Sequence, residues 1–206
     1  MISPLIIPPY AGNIQYYSLF VHYNEVLMER YAHYVKQTYR NRCQILTANG
    51  MMNLTIPVEK VSGEKILDKD VRISSTDWQR VHWTAIESAY NNSPFFLYYE
   101  DDIRPMYEKK FDFLLDFNLQ LQETLVSLLG LNTKFRLTEN YIDSHEYDLR
   151  ETLSPKYKGE TSNFNPKPYY QVFKEKFGFV ENLSVFDLLF NMGNESILIL
   201  KDSYIK

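Results

Sequence analysis

Leu5-Ile6-Ile7-Pro8-Pro9-Tyr10-Ala11-Gly12-Asn13-Ile14 decides the fold class. Leu5 to Ile7 is a short unbroken apolar run, the pattern of a buried strand. Pro8-Pro9 stops it with two fixed φ angles and two missing amide donors, which makes a rigid turn. Asn13 carries the short side-chain acceptor suited to a helix N-cap, and Ile14, Tyr17, Phe20 and Val21 follow at helical spacing. A strand, a tight loop and a helix in that order form a βα unit, and open α/β sheets bind ligands at such loops, beyond the carboxyl ends of the strands. Pro9 and Tyr10 lie on this loop.

Outward from that unit, Glu25 to Met28 reads as the next strand. Cys43 to Leu46 and Asn53 to Val58 flank Ala48-Asn49-Gly50, and Asn-Gly between two β-prone runs is a strong hairpin signal. Pro57 belongs at an edge or at its strand's end. Gly63 marks a surface turn, and Val71-Arg72-Ile73 is a short strand candidate. Thr76-Asp77-Trp78-Gln79 has the form of a capping box with Thr76 as N-cap. Trp78, Val81, His82, Ala85, Ile86, Ala89 and Tyr90 then mark one stripe of a helix, which Asn91-Asn92-Ser93-Pro94 ends. Phe95 to Tyr99 is strand-like or a short buried helix, closed by Glu100-Asp101-Asp102. Pro105 starts a long helix whose stripe, Phe111 to Leu129, stops at Gly130.

Lys134 to Leu137 is a further strand candidate, and 153–168, with its prolines, reads as a long loop, a feature that is either mobile or functional in a compact domain. Tyr170, Phe173 and Phe177 punctuate a helix ending at Gly178. Another helix has Ser184 as N-cap, Asp187 at the third position and Gly193 as its stop, and Ile197 to Leu200 finishes the core. These elements predict a single α/β or α+β domain over residues 1–206, with a mixed sheet, flanking helices and a helical C-terminal half.

With 206 residues, 45% of them hydrophobic and only seven glycines, the chain can bury one core of ordinary size. A formal charge of −4 argues against binding a nucleic acid polymer. The single cysteine, Cys43, excludes an intrachain disulfide and suits a reducing compartment; it reads as a small buried hydrophobe. Met1-Ile2-Ser3-Pro4 lacks the basic region and apolar core of a signal peptide, and no apolar run approaches ~18 residues. The expectation is a soluble cytoplasmic protein without a transmembrane segment.

Cations concentrate in Tyr34-Val35-Lys36-Gln37-Thr38-Tyr39-Arg40-Asn41-Arg42. Lys36 offers a point charge, and Arg40 and Arg42 offer forked donors matched to phosphate or carboxylate oxygens. In an extended chain all three share a face; in a helix only Lys36 and Arg40 do. A solvated basic edge facing an acidic surface is the competing structural reading. His82 is either a core-edge histidine satisfied by one hydrogen bond or a ring that relays protons near neutrality. There is no Gly-rich phosphate loop, no Gly-x-Ser-x-Gly elbow and no zinc-ligand spacing. His145, among Asp143, Glu146 and Asp148, matches no standard metal site and reads as part of a solvated acidic loop. No cofactor is identified.

In its ordered blocks the chain resembles the WbqC-like family, bacterial proteins associated with O-antigen and other surface-polysaccharide gene clusters. The blocks are Pro9-Tyr10 with its aromatic helix, Lys36 to Arg42, Asn49-Gly50 with Leu54-Thr55-Ile56-Pro57-Val58, and Trp78 with His82-Trp83. Ala89-Tyr90, Pro94-Phe95-Phe96 and Asn182 to Gly193 complete the set. Many relatives carry a His-Gln-Pro-type block followed by Leu-Pro-Trp where this chain has Ile7-Pro8-Pro9-Tyr10-Ala11-Gly12. No reaction is assigned to the family as a whole.

Two functional expectations follow. The first is a transferase acting on a nucleotide- or lipid-linked sugar, such as acyl or aminoacyl transfer to an amino sugar. Its ligand would be a phosphorylated or carboxylated small molecule, a sugar nucleotide among the candidates. In that reading Pro9, Tyr10, Lys36, Tyr39, Arg40, Asn41, Arg42, Asn49 and Tyr90 bind substrate, and His82 and Lys36 are catalytic. The second is a non-catalytic module binding a glycan precursor or a pathway protein, with aromatic and arginine anchors. Association into a homo-oligomer stays open in both.

Overall fold

The N-terminal βα unit forms as its sequence predicts. A computed structural model describes residues 2–59, 65–157, 159 and 163–205, so the turn expected at Gly63 lies outside the described residues. Strand β1 (Leu5–Ile6) leads through the proline turn into α1 (Ile14–His22), where the Asn13 side chain accepts the Tyr16 amide at 3.2 Å. Gly12 is required by the turn itself, because a Cβ there would meet Pro9 Cγ at 2.8 Å. Strand β2 (Glu25–Met28) pairs in parallel with β1, and β5 (Lys134–Leu137) pairs in parallel with β2. The open edge of β1 is covered by residues 147–149: Leu5 N–H donates to the Tyr147 carbonyl and Leu149 N–H to the Leu5 carbonyl.

The remaining strands, β3 (Arg42–Thr47) and β4 (Gly50–Thr55), form the predicted antiparallel hairpin, with Gly50 at φ +107° and Cys43 buried. Strand content therefore divides into a parallel sheet and a separate ribbon. Residues 71–73 make only isolated bridges, Ile73 to Val58 and Arg72 to Phe113, instead of a strand.

Helix α2 (Trp78–Tyr90) has Asp77, not Thr76, as its N-cap residue, and no side chain caps it; the Asp77 carboxylate pairs with Arg80 instead. The long helix expected from Pro105 is two helices. Phe96–Glu108 forms α3, and Pro105 sits inside it. Phe96, Tyr99, Ile103, Met106 and Tyr107 make the buried stripe, which settles the aromatic run as the buried helix of its two readings. Burying that stripe outweighs the one hydrogen bond that Pro105 cannot make. Helix α4 (Leu114–Leu128) then closes with Gly130 at φ +67° and the crossed hydrogen bonds Leu131 N–H to Val126 O and Gly130 N–H to Ser127 O, a Schellman ending.

Short α5 (Lys174–Phe177), α6 (Val185–Met192) and α7 (Ser196–Asp202) complete the chain. The N-termini of α1 and α6 are tied to each other. Ser184 Oγ donates to the Ala11 carbonyl, Val185 N–H to Gly12 O and Ile14 N–H to Leu183 O. Asp187 on α6 is buried and receives Tyr90 Oη at 3.2 Å, Tyr169 Oη at 2.6 Å and Gln171 Nε2 at 2.9 Å. Burial pushes its pKa up to about 6, against the pull of these donors.

The core also holds a polar row. Tyr10 Oη lies 2.9 Å from His82 Nδ1 and 3.0 Å from Tyr107 Oη, and Trp78 packs edge-on against the His82 ring at 5.1 Å. Burial lowers the His82 pKa to about 4, partly opposed by a backbone hydrogen bond at Thr55. The ring is therefore neutral near neutrality, with one donor and one acceptor nitrogen.

Two predictions follow from these buried groups. A histidine with a depressed folded pKa contributes stability that is complete above its unfolded pKa of about 6.5 and lost as pH falls toward the folded value. Between about pH 7 and pH 4 the wild type therefore loses about 3 kcal/mol that a His82→Gln variant does not lose. Asp187, whose pKa is raised, works in the opposite direction, losing stability as pH rises from about 4 to 6. Because it does so equally in both proteins, the difference between their urea-denaturation curves isolates His82. Separately, Glu29 is fully buried and receives donors from Tyr31, Thr138, Ile142 and Arg150. Glu29→Ala should destabilise the fold by about 3–5 kcal/mol, the range for removing one partner of a buried ion pair, measured by the same denaturation.

Candidate functional site

The parallel sheet opens into a cleft of about 800 Å³ beyond the carboxyl ends of its strands. Ile7 enters it from β1, Ala32 and His33 from the chain after β2, Tyr141 from the chain after β5, and Asp148 and Arg150 from the segment beside β1. The location has a topological cause. From β1 the chain adds β2 and then β5 on one side, after which residues 147–149 return to the other side of β1. Loops leaving strands at such a reversal part from one another, and the gap between them is where open α/β sheets take ligands.

Glu29, the first residue past β2, builds the floor. One carboxylate oxygen accepts Tyr31 N–H at 2.8 Å and Thr138 Oγ1 at 2.9 Å; the other accepts Ile142 N–H at 3.0 Å and faces Arg150 Nη1 at 3.4 Å. It thus joins the exits of β2 and β5 to Arg150. The Arg150 guanidinium also donates to Asp148, with Nη2 to Oδ2 at 2.6 Å and Nε to both oxygens, and lies over the Tyr141 ring at 5.1 Å. Burial alone would raise the Asp148 pKa, but the Arg150 hydrogen bonds outweigh it and hold the carboxyl below its ordinary value.

On the facing wall, Arg40 Nε contacts both Asp68 oxygens at 2.8 and 2.9 Å, and its Nη1 reaches Thr38 Oγ1 at 3.5 Å. Burial pushes the Asp68 pKa up to about 6, with Arg40 opposing the shift. Across the lip, Lys156 Nζ donates to the Lys36 carbonyl at 2.8 Å. The cleft therefore combines three cations, Arg40, Arg150 and Lys156, with the acids Asp143, Asp148 and Glu151 and the rings of Tyr141 and Tyr157. Carboxylates accept hydroxyl donors, cations hold anionic oxygens, and ring faces pack on apolar surfaces. Among the described residues no three His, Cys, Asp or Glu side chains are grouped to hold a metal ion, and His145 Nδ1 accepts the Tyr147 amide.

Of the residues singled out from sequence, Arg40 lines this cleft. Lys36 is exposed on its rim, in a bent loop where Gln37 has φ +58°, so the cluster is neither the strand nor the helix considered above. Arg42 begins β3, and among the described residues its buried Nε has no hydrogen-bond partner. Asn41 is buried and donates to the Ile56 carbonyl at 2.9 Å. Tyr39 packs edge-on against Tyr16 and accepts Tyr10 N–H with its carbonyl. Asn49 is exposed at the hairpin turn, Pro9 is buried against Gly12, and Tyr90 is buried against Asp187. Tyr10 and His82 do come together, but in the core, and neither lines the cleft.

Sequence reasoning passed over Arg150 and Lys156 and read Asp148 as part of a solvated acidic loop, whereas it lines the cleft. Their only signal was indirect: one arginine in an acid-rich stretch, next to a loop long enough to be functional. Asn118 of α4 positions the cleft from behind, its Nδ2 donating to the Pro8 carbonyl at 3.3 Å and the Arg40 carbonyl at 2.7 Å.

The family model described as the WbqC-like protein family matches residues 7–162, a span that contains every residue lining the cleft. The chain is also 26% identical to the uncharacterized protein Rv1507c of Mycobacterium tuberculosis (strain ATCC 25618 / H37Rv), over 91% of each chain. No solved structure matches it. With a matched span running from the end of β1 to the far wall of the cleft, this chain belongs to the WbqC-like protein family.

Proposed function

We propose that the protein binds a phosphorylated or carboxylated sugar in the cleft beyond its parallel sheet and acts on it as a transferase in surface-polysaccharide synthesis. The observation that carries this reading is the composition of the cleft. Arg40, Arg150 and Lys156 stand with Asp143, Glu151 and two tyrosines in one space large enough for a sugar and an attached anion. Carboxylates that accept sugar hydroxyls and cations that hold a phosphate are both needed for such a ligand. Membership of the WbqC-like family, whose resemblance carries an association with surface-polysaccharide gene clusters, supports the choice of pathway. Lys36 at the rim can contribute charge to an incoming anion. His82 is less suited to the proton-transfer role that its sequence context suggested, because it is buried and its pKa near 4 disfavours proton uptake at neutral pH. Within the transferase reading that role passes to His33, which lines the cleft and is exposed.

A second reading, a non-catalytic precursor-binding module, is favoured by one observation. The arginines of the cleft are already paired with carboxylates, Arg40 with Asp68 and Arg150 with Asp148 and Glu29, so the walls are stiff and neither arginine is held in reserve for developing charge.

Thermal shift against a panel of sugar nucleotides and sugar phosphates tests ligand binding. A ligand at about a hundred times its Kd stabilises the fold by about 2.7 kcal/mol. Lys156→Ala should weaken a bound ligand about tenfold, the loss of one charge-assisted hydrogen bond, whereas His82→Gln should leave its affinity unchanged. Equal affinity in wild type and Lys156→Ala would remove the anion from the cleft. Turnover of the same ligand, followed by product release and abolished in His33→Ala with binding intact, separates the transferase from the binding module. Binding without turnover selects the module.

A further inference from the structure

A second, smaller cavity of about 200 Å³ adjoins the cleft, and Thr152 and Tyr157 line both. The segment beside β1 divides them by alternation: Asp148 and Arg150 face the cleft, whereas Tyr147 and Leu149 face the small cavity, as successive residues of an extended chain must. Its other wall is α1, through Gln15, Ser18 and Leu19. Three tyrosine rings, Tyr147, Tyr157 and Tyr204, border it. Two of them are fixed by their own phenols: Tyr147 Oη lies 2.9 Å from Tyr204 Oη, which also lies 3.1 Å from Tyr23 Oη. Among the described residues the Gln15 side-chain amide has no hydrogen-bond partner.

We infer that this cavity is a nucleobase subsite, so that the ligand of the cleft is a nucleoside diphosphate-linked sugar with its base between α1 and the tyrosines. The inference rests on the sugar-binding reading of the cleft and chooses between the nucleotide-linked and lipid-linked forms of its ligand. Three features carry it. At about 30 Å³ per water, the volume has room for roughly seven water-sized groups, the size of one nucleobase and too little for a long lipid chain. The tyrosine rings that border the cavity give a flat heterocycle apolar surface to pack on, at little entropic cost where the phenols already hold Tyr147 and Tyr204 in place. Gln15 supplies one donor and one acceptor, the pair needed to read the edge of a base whose faces are stacked. The shared residues Thr152 and Tyr157 would then sit at the ribose, and Arg150 and Lys156 within reach of the diphosphate.

The test is calorimetric titration of the intact protein with pyrophosphate, with UDP, dTDP, CDP, GDP and ADP, and with octyl phosphate. At least one nucleoside diphosphate should bind tenfold or more tighter than pyrophosphate, on the order of the 1–3 kcal/mol a stacked base contributes. Leu149→Trp, which fills the cavity, should abolish that advantage and leave pyrophosphate affinity unchanged. Gln15→Ala should compress the differences among the five nucleotides without touching pyrophosphate, a readout that survives if the tryptophan variant does not fold. Equal affinity for pyrophosphate and all five nucleotides overturns the subsite while the cleft keeps its anion. A gain for octyl phosphate alone overturns it in favour of a lipid-linked ligand. No binding of pyrophosphate or of any of the other ligands would defeat the cleft reading itself.

Discussion

The buried carboxylate of Glu29 is the constraint on which the cleft depends. A charged group with no solvent exposure forfeits its hydration, a cost of several kcal/mol unless donors replace the lost water. Glu29 has four: two backbone amides, a threonine hydroxyl and the Arg150 guanidinium. Those donors come from the exits of β2 and β5 and from the segment beside β1, so one carboxylate ties all three together, in addition to the direct bonds of Thr138 N–H to Met28 O and Arg30 Nε to Thr138 O. Arg150 is in turn locked by Asp148, and the chain that carries both then forms the wall between the two cavities. Paired charges of this kind contribute little net stability compared with an apolar core, but they hold a defined geometry because any displacement leaves a charge uncompensated.

The helical half holds this end of the sheet in place by the same means. Asn118 ties the proline turn to the Arg40 loop, and Arg40 in turn is anchored on Asp68. The joined N-termini of α1 and α6 satisfy backbone groups that a buried helix start would otherwise leave unpaired. Asp187 extends the network through Tyr90 and Tyr169 without any cation, so its charge rests on three neutral donors. Tyrosine is well suited to such an interior, since its ring adds apolar area and its hydroxyl reaches a partner. That chemistry accounts for much of the use of 17 tyrosines in 206 residues.

Local elements were legible where a single physical rule decided them. The proline turn, the Asn13 and Ser184 caps, the Asn-Gly hairpin and the Gly130 stop all depend on a few adjacent atoms, and each stands where its residues place it. The errors came where packing overrode a local rule. Phe95 to Tyr99 left strand and buried helix both open; its buried stripe against α2 and α6 makes it helical, and the helix expected to start at Pro105 instead carries that proline inside it. The Thr76 capping box gave way to Asp77, whose carboxylate is drawn away by Arg80.

By itself, the sequence determined the βα start, the hairpin, most helices and the family, because these follow from spacing and short-range chemistry. Only the tertiary structure decided which charges meet. The cationic stretch at 36–42 looked like an anion clamp, but Asp68, 28 residues further on, occupies Arg40, while the cleft's other cations come from Arg150 and Lys156, more than a hundred residues away. His82, readable either as a core-edge histidine or as a proton relay, lies in the core, because the helix that presents it packs against Tyr10 and Tyr107. Whether an ionisable side chain is a ligand-binding group or a structural tie depends on what lies across the fold from it, and residues far apart in the chain are set opposite each other only when the sheet and helices close.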